Sequence, residues 1–207
     1  MNNSNLSLSG IPPERYEEFA KICYANALNI LEDAKILYDA GKYPRSYALS
    51  VIAAEELNKA LFFKLVSAGI MGIENGLDDE SRFALIENRN DSFRKFAGEI
   101  LVFHENAKII LDAKFWNREV KPGDLKRNDS RVELSNIFEK VEEEKHNALY
   151  TGFDSKKILE PSAAISQEKC YAMLGHVRFS AISSFKQLLD ADNTSLRSIS
   201  EIINKTE

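Results

Sequence analysis

Residues 48–61 place a carboxylate and an amine inside a run that otherwise reads as a buried helix. With 3.6 residues per turn, Leu49, Ile52, Ala53, Glu56, Lys59, Ala60 and Phe63 fall on one face. Glu56 and Lys59 therefore stand where the core stripe belongs, close enough along the helix to touch. A charge buried alone costs several kcal/mol, so a helix that keeps two of them inside must supply partners.

The rest of the chain is that of an ordinary soluble protein. It has 207 residues, 44% of them hydrophobic and 29% charged, enough for one sizeable core. A net charge of -5 argues against a protein that coats nucleic acid generally, while leaving room for a local basic groove. Cys23 and Cys170 match no metal or redox spacing and read as buried free thiols. No leader pattern opens the chain, and no window approaches the ~18 apolar residues of a membrane span. The expected setting is reducing and cytoplasmic, with no membrane partner.

Helical periodicity dominates. Pro12 and Pro13 mark a helix entry, and Phe19, Ile22, Cys23, Ala27, Ile30, Ala34 and Leu37 carry a long first helix to Gly41. A second opens at Pro44 and runs to about Ala68. Residues 69–90 are mixed, with a short helix expected from Asp79 to Asn88. Phe93, Phe96, Ala97, Ile100, Phe103, Ala107, Ile110 and Leu111 predict a third long helix, followed by a loop from Asn117 to Asp124. Leu134, Ile137, Phe138, Val141 and Leu149 predict a helix from about Ser130 to Tyr150. After Pro161 a last long helix is expected through Leu188, then a short one capped by Thr194. No segment alternates with period two, so no sheet is expected. The expected organisation is a disordered tail over 1–12, one all-α, up-and-down helical bundle over 13–190, and a short C-terminal helix or tail over 191–207.

Three helices share the same oddity. His104 and Lys108 follow the apolar stripe of the third long helix, and Lys145 lies in line with Val141 and Leu149. Packed side by side, these helices would bring Glu56, Lys59, His104, Lys108 and Lys145 to one polar pocket. Each residue also has a plainer reading. Glu56 with Lys59 is then an internal ion pair that fixes register. His104 is a core histidine bonded to a carbonyl, Lys108 snorkels, and Lys145 is an exposed helix-surface charge.

Other signatures are missing. Glu143 and His146 form one Glu-x-x-His, but the second such pair of a di-iron helix bundle is absent, so no metal and no cofactor are expected. There is no phosphate-binding glycine loop and no Gly-x-Ser-x-Gly elbow. The segment from Trp116 to Arg131 carries Arg118, Lys121, Lys126, Arg127 and Arg131 beside an aromatic. It reads either as a solvated loop or as a phosphate and base contact.

Taken in order, Gly41-Lys42-Tyr43, Ala48, Ala53-Ala54-Glu55-Glu56, Lys59-Ala60, Phe103-His104, Lys108 and Lys145-His146-Asn147-Ala148-Leu149-Tyr150 resemble the AbiV-type abortive infection proteins of bacteria. The likeness spans roughly residues 20–190; Thr151-Gly152-Phe153-Asp154 departs from the family pattern. It implies a HEPN-like helical bundle, usually a homodimer, acting against phage. Many HEPN proteins are metal-independent ribonucleases with an Arg-x4-6-His motif, which this chain lacks. Its positional equivalent runs from Lys145 to Tyr150, with lysine for arginine and tyrosine for histidine.

Cleaving RNA without metal requires an activated 2′-hydroxyl, charge stabilisation at the phosphate and a proton for the leaving oxygen. On the resemblance, Lys145, Tyr150, His104 and Glu56 are the candidate catalytic residues. Lys59, Lys108, His146 and Asn147 are candidates for holding substrate. The expected function is a toxin-like effector that arrests the infected cell by acting on RNA or a ribosome-associated target, released by a phage-encoded activator or restrained by an antitoxin. The alternative is a non-catalytic helical module that dimerises or binds a protein or nucleotide.

Overall fold

The first two helices are antiparallel neighbours whose facing positions are occupied by small residues. The computed structural model describes residues 12–71, 90–125, 130–154 and 157–205. Helix α1 spans Pro13–Asp39 and α2 spans Tyr43–Ser67. In α1, Ala20, Ala27 and Ala34 recur every seventh residue, and in α2 Ser46, Ala53, Ala60 and Ser67 do the same; all are buried. The register follows from contacts at both ends. Ser46 Oγ donates to the Ala34 carbonyl at 2.6 Å, and Tyr16 stacks on Phe63 at 6.0 Å. That register brings Ala27 level with Ala53 and Ala20 level with Ala60, so the backbones approach closely.

The turn between them is set by Gly41, whose φ of 71° is a left-handed conformation that glycine adopts without steric cost. The Gly41 N–H donates to Tyr38 O and that of Lys42 to Leu37 O, which satisfies carbonyls the helix end leaves open. Gly69 closes α2 in the same way, and Asn117, at φ 49°, closes the third helix.

Around this pair pack α3 (Asn90–Phe115), α4 (Ser130–Leu149), a single helical turn α5 (Pro161–Ala164), α6 (Gln167–Ser180), α7 (Lys186–Asp190) and α8 (Asn193–Asn204). A 3-10 turn covers Pro122–Asp124. One core joins α1, α2, α3, α6, α7 and α8. A second, smaller cluster of Tyr47, Ala48, Val51, Ala148, Ile165 and Cys170 seats α4 and α6 on α2. Helix α2 is thus surrounded, which is why its buried residues occupy almost every side.

The structure is all-α, with three departures from the sequence expectations. Gly152–Asp154 and Lys157–Leu159 pair as a two-stranded antiparallel ribbon, Gly152 opposite Leu159; three-residue strands are too short to show an alternating pattern. The helix expected from Pro161 onward is interrupted. Ile165 is extended and buried, and Ser166 restarts the helix by accepting the Lys169 N–H. The same rod then loosens into a π turn over Ala181–Phe185. Finally, Asp192 rather than Thr194 caps α8, accepting the Ser195 N–H at 2.9 Å. Residues 1–11 of the expected tail and the helix expected from Asp79 to Asn88 lie outside the described residues.

Helix α8 packs Leu196, Ile199 and Ile203 into the main core. Its Arg197 Nε donates to the Ala68 carbonyl at 2.7 Å, where the C-terminal end of α2 favours a positive charge.

Candidate functional site

One turn of α2, from Glu55 to Lys59, carries three ionisable side chains and distributes them to both neighbours. On the α1 side, Lys59 Nζ donates to Glu56 Oε1, and Asn26 Nδ2 donates to Glu56 Oε2 at 3.1 Å. Both charged groups are largely covered, so the pair meets the requirement that buried charges be matched and hydrogen-bonded. Cys23 adjoins it. Burial, reinforced by the negative charge of Glu56, pushes its thiol up to about 11, so this cysteine is protonated at neutral pH and no nucleophile.

On the α4 side, Lys145 Nζ donates to Glu55 Oε1 and to Glu142 Oε2, each at 2.7 Å. Lys145 is 9% exposed, which excludes the plainer reading of a surface charge. Burial works against its ammonium, but the hydrogen bonds to Glu142 and Glu55 outweigh it and raise the pKa above the ordinary lysine value. Glu55 is raised as well, first by burial and then by Glu142, against the pull of Lys145. The second carboxylate beside the same cation disfavours the charged form of Glu55. Two of the three Lys145 N–H bonds are committed to these carboxylates.

About two helical turns before Glu55 on α2, Tyr47 O–H donates to Glu144 Oε2 and Lys169 Nζ pairs with Glu144 Oε1, both at 2.6 Å. Burial alone would raise Glu144, but the bonds from Lys169 and Tyr47 lower it. Burial and the Glu144 carboxylate push the Tyr47 hydroxyl up, so it remains a donor.

His104 is held elsewhere. It is 4% exposed, with Nε2 2.7 Å from Ser184 Oγ and its ring 4.4 Å from that of Phe185. Both partners belong to the π turn, whose Ala181 carbonyl accepts the Tyr24 hydroxyl at 3.0 Å. Its Nδ1 has no hydrogen-bond partner; the Glu105 carboxylate stands 3.7 Å away. The partner of Nε2 is a hydroxyl, not the carbonyl of the plainer sequence reading.

The described hydrogen bonds divide the residues of the expected pocket among different partners. Glu56 and Lys59 bond to each other, Lys145 bonds to Glu55 rather than to Glu56, and His104 bonds to the π turn. Lys108 is half-buried and Asn147 is half-buried. His146 and Tyr150 are exposed at the end of α4, their rings 4.8 Å apart. Among the described residues, no group of three or more His, Cys, Asp or Glu side chains gathers as a metal set.

Sequence reading passed over Glu55 because it lies about 100° around the helix from the apolar face. Glu142, three residues before Lys145, was the available signal for that trio. Ser184 carried none, since its contact with His104 spans eighty residues.

A family model described as AbiV, of the HEPN type, matches residues 15–179. The chain belongs to the AbiV family. Membership places it among abortive infection proteins, a bacterial defence against phage, and agrees with its all-α HEPN bundle. No curated protein and no solved structure matches significantly. The AbiV match includes the Glu55–Lys145 connection and the His146–Tyr150 pair. It ends before Ser184 and Phe185, so the partners of His104 lie beyond it. No described helix is long and apolar enough to cross a membrane.

Proposed function

We propose that this AbiV-family chain is an abortive-infection effector that arrests the infected cell by engaging RNA or the translation machinery through the exposed end of α4. The carrying observation is the His146–Tyr150 pair. Tyr150 is 58% exposed and its ring lies 4.8 Å from that of His146, within the stretch where HEPN ribonucleases carry their motif. Unstacked RNA bases are taken up by exposed aromatic and histidine rings, and this pair offers such a platform.

The division of labour differs from the one expected from sequence. Lys145, Glu55 and Glu142 hold α4 on α2 and so position its end. Glu56, paired with Lys59 on its own helix, accepts from Asn26 of α1. His104 is buried against the π turn. These groups act as positioning residues in the reading, whereas His146 and Tyr150 touch the target, with Asn147 beside them.

The second reading, a non-catalytic module that blocks rather than cuts, is favoured by the commitment of Lys145 to two carboxylates and by the burial of His104. Inducible expression in bacteria separates the two. Growth, protein synthesis and total RNA integrity are followed for the wild type and for His146→Ala with Tyr150→Ala. The proposal expects arrest by the wild type and its loss in the double variant with folding intact. Arrest with intact RNA selects blocking over cleavage. Undiminished arrest by the folded double variant sinks the proposal.

A further inference from the structure

The ammonium of Lys145 lies 2.7 Å from Glu55 on α2 and 2.7 Å from Glu142 on its own helix. Two carboxyl groups held to one amine stand beside each other. Both are largely withdrawn from water, their side chains 27% and 20% exposed, and like charges so placed oppose each other's ionisation. Glu142 acts on Glu55 by its charge and also by a side-chain hydrogen bond. A carboxylate has no hydrogen to donate, so a bond between two carboxyl groups requires a proton on one of them.

The other described charges around the trio are committed elsewhere. Lys59, one turn beyond Glu55 on α2, bonds to Glu56. Lys169 of α6 pairs with Glu144, which also accepts from Tyr47. His104 of α3 is bonded to Ser184. The turn of α5, Pro161–Ala164, has no ionisable side chain.

We propose that Glu55 and Glu142 share one proton and that this proton is a latch on α4. With it in place the trio is neutral, being one ammonium, one carboxylate and one carboxyl. Once it passes to solvent, two carboxylates are left on one ammonium, and the surplus negative charge loosens the hold of α4 on α2. His146 is the next residue after Lys145, so the latch sets how firmly the His146–Tyr150 end is presented. Its consequence in the cell rests on the reading of that end as the contact surface; its chemistry rests on the trio alone. Burial and Glu142 raise Glu55 against the pull of Lys145. A carboxyl raised in the fold contributes stability below its unfolded value, about pH 4.3, that is lost as pH rises through the folded value. The latch is closed on the acid side of that range and open on the alkaline side.

Carbon-13 NMR titration of the glutamate carboxyls in the full chain reads the proton directly, with the Glu55 signal assigned by its loss in Glu55→Gln. Its midpoint is expected above about 4.3. Glu142→Gln, which removes the opposing charge, should move that midpoint to lower pH, and Lys145→Met should move it higher. Amide exchange over residues 146–150, corrected for intrinsic rates, reads the consequence. In the wild type, protection should fall at least about threefold from the acid to the alkaline side of the Glu55 midpoint. In Glu55→Gln, neutral at every pH, it should stay level. A Glu55 midpoint at or below about 4.3, or one unmoved by Glu142→Gln, overturns the shared proton. Protection that depends on pH equally in the wild type and in Glu55→Gln overturns the latch. Neither result touches the arrest experiment above, and a failed arrest leaves this titration standing, so the two fall separately.

Discussion

Lys145 on α4 donates to Glu55 on α2 across 2.7 Å, and Glu142 holds the same ammonium from one turn earlier on α4. Removing the amine leaves two partly buried carboxylates facing each other. Lys145→Ala is expected to cost about 2 kcal/mol, less than a fully buried pair because Glu55 retains some solvent. Lys145→Met combined with Glu55→Gln should recover most of that. Urea denaturation measures both; a loss below about 0.5 kcal/mol for Lys145→Ala would show the pair to be incidental.

Glu144 gives the fold an acid-side dependence. Its pKa is lowered in the folded state by Lys169 and Tyr47, against burial. A carboxyl with a depressed folded pKa contributes stability above its unfolded value, and that contribution disappears as pH falls through the folded pKa. The wild type should therefore exceed Glu144→Gln in stability at pH 7, with the difference shrinking steadily below about pH 4.3. A difference that is constant from pH 7 to pH 3 contradicts this assignment.

Ser184→Ala removes the partner of His104 Nε2 while Nδ1 already lacks one. A buried imidazole with neither nitrogen bonded should lower stability by about 1–3 kcal/mol. Amide exchange in the α6–α7 rod should rise with it. Unchanged exchange and midpoint would mean that the ring stacking on Phe185 suffices.

The small residues between α1 and α2 leave no space for larger ones. Ala27→Leu, at a fully buried position, should destabilise by about 1–3 kcal/mol through overpacking. The same change at the exposed Ala172 should be nearly silent in the monomer. Thermal melts of the two variants compared at one low concentration decide it.

The helical content, the stop at Gly41 and the position of α2 were legible from residue order, because each depends on neighbours within a few residues. Glu56 and Lys59 form an internal pair for the same reason, since one helix holds both. Apolar periodicity was less informative about which side each helix buries: Ile22 matches the α1 stripe yet is exposed, while Cys23, one position on, is buried. The break at Ile165 was missed because it depends on a buried side chain and a serine cap, which no spacing announces.

Sequence alone determined that several helices carry ionisable groups on otherwise apolar faces, since that follows from the 3.6-residue repeat. Which group meets which was left to the tertiary structure. Lys145 found Glu55 and Glu142, His104 found Ser184, and His146 with Tyr150 was left facing water. Partner choice depends on how helices are rotated and shifted against one another, and a change of one residue in register turns a side chain by about 100°. Only the packing around α2 fixes those rotations.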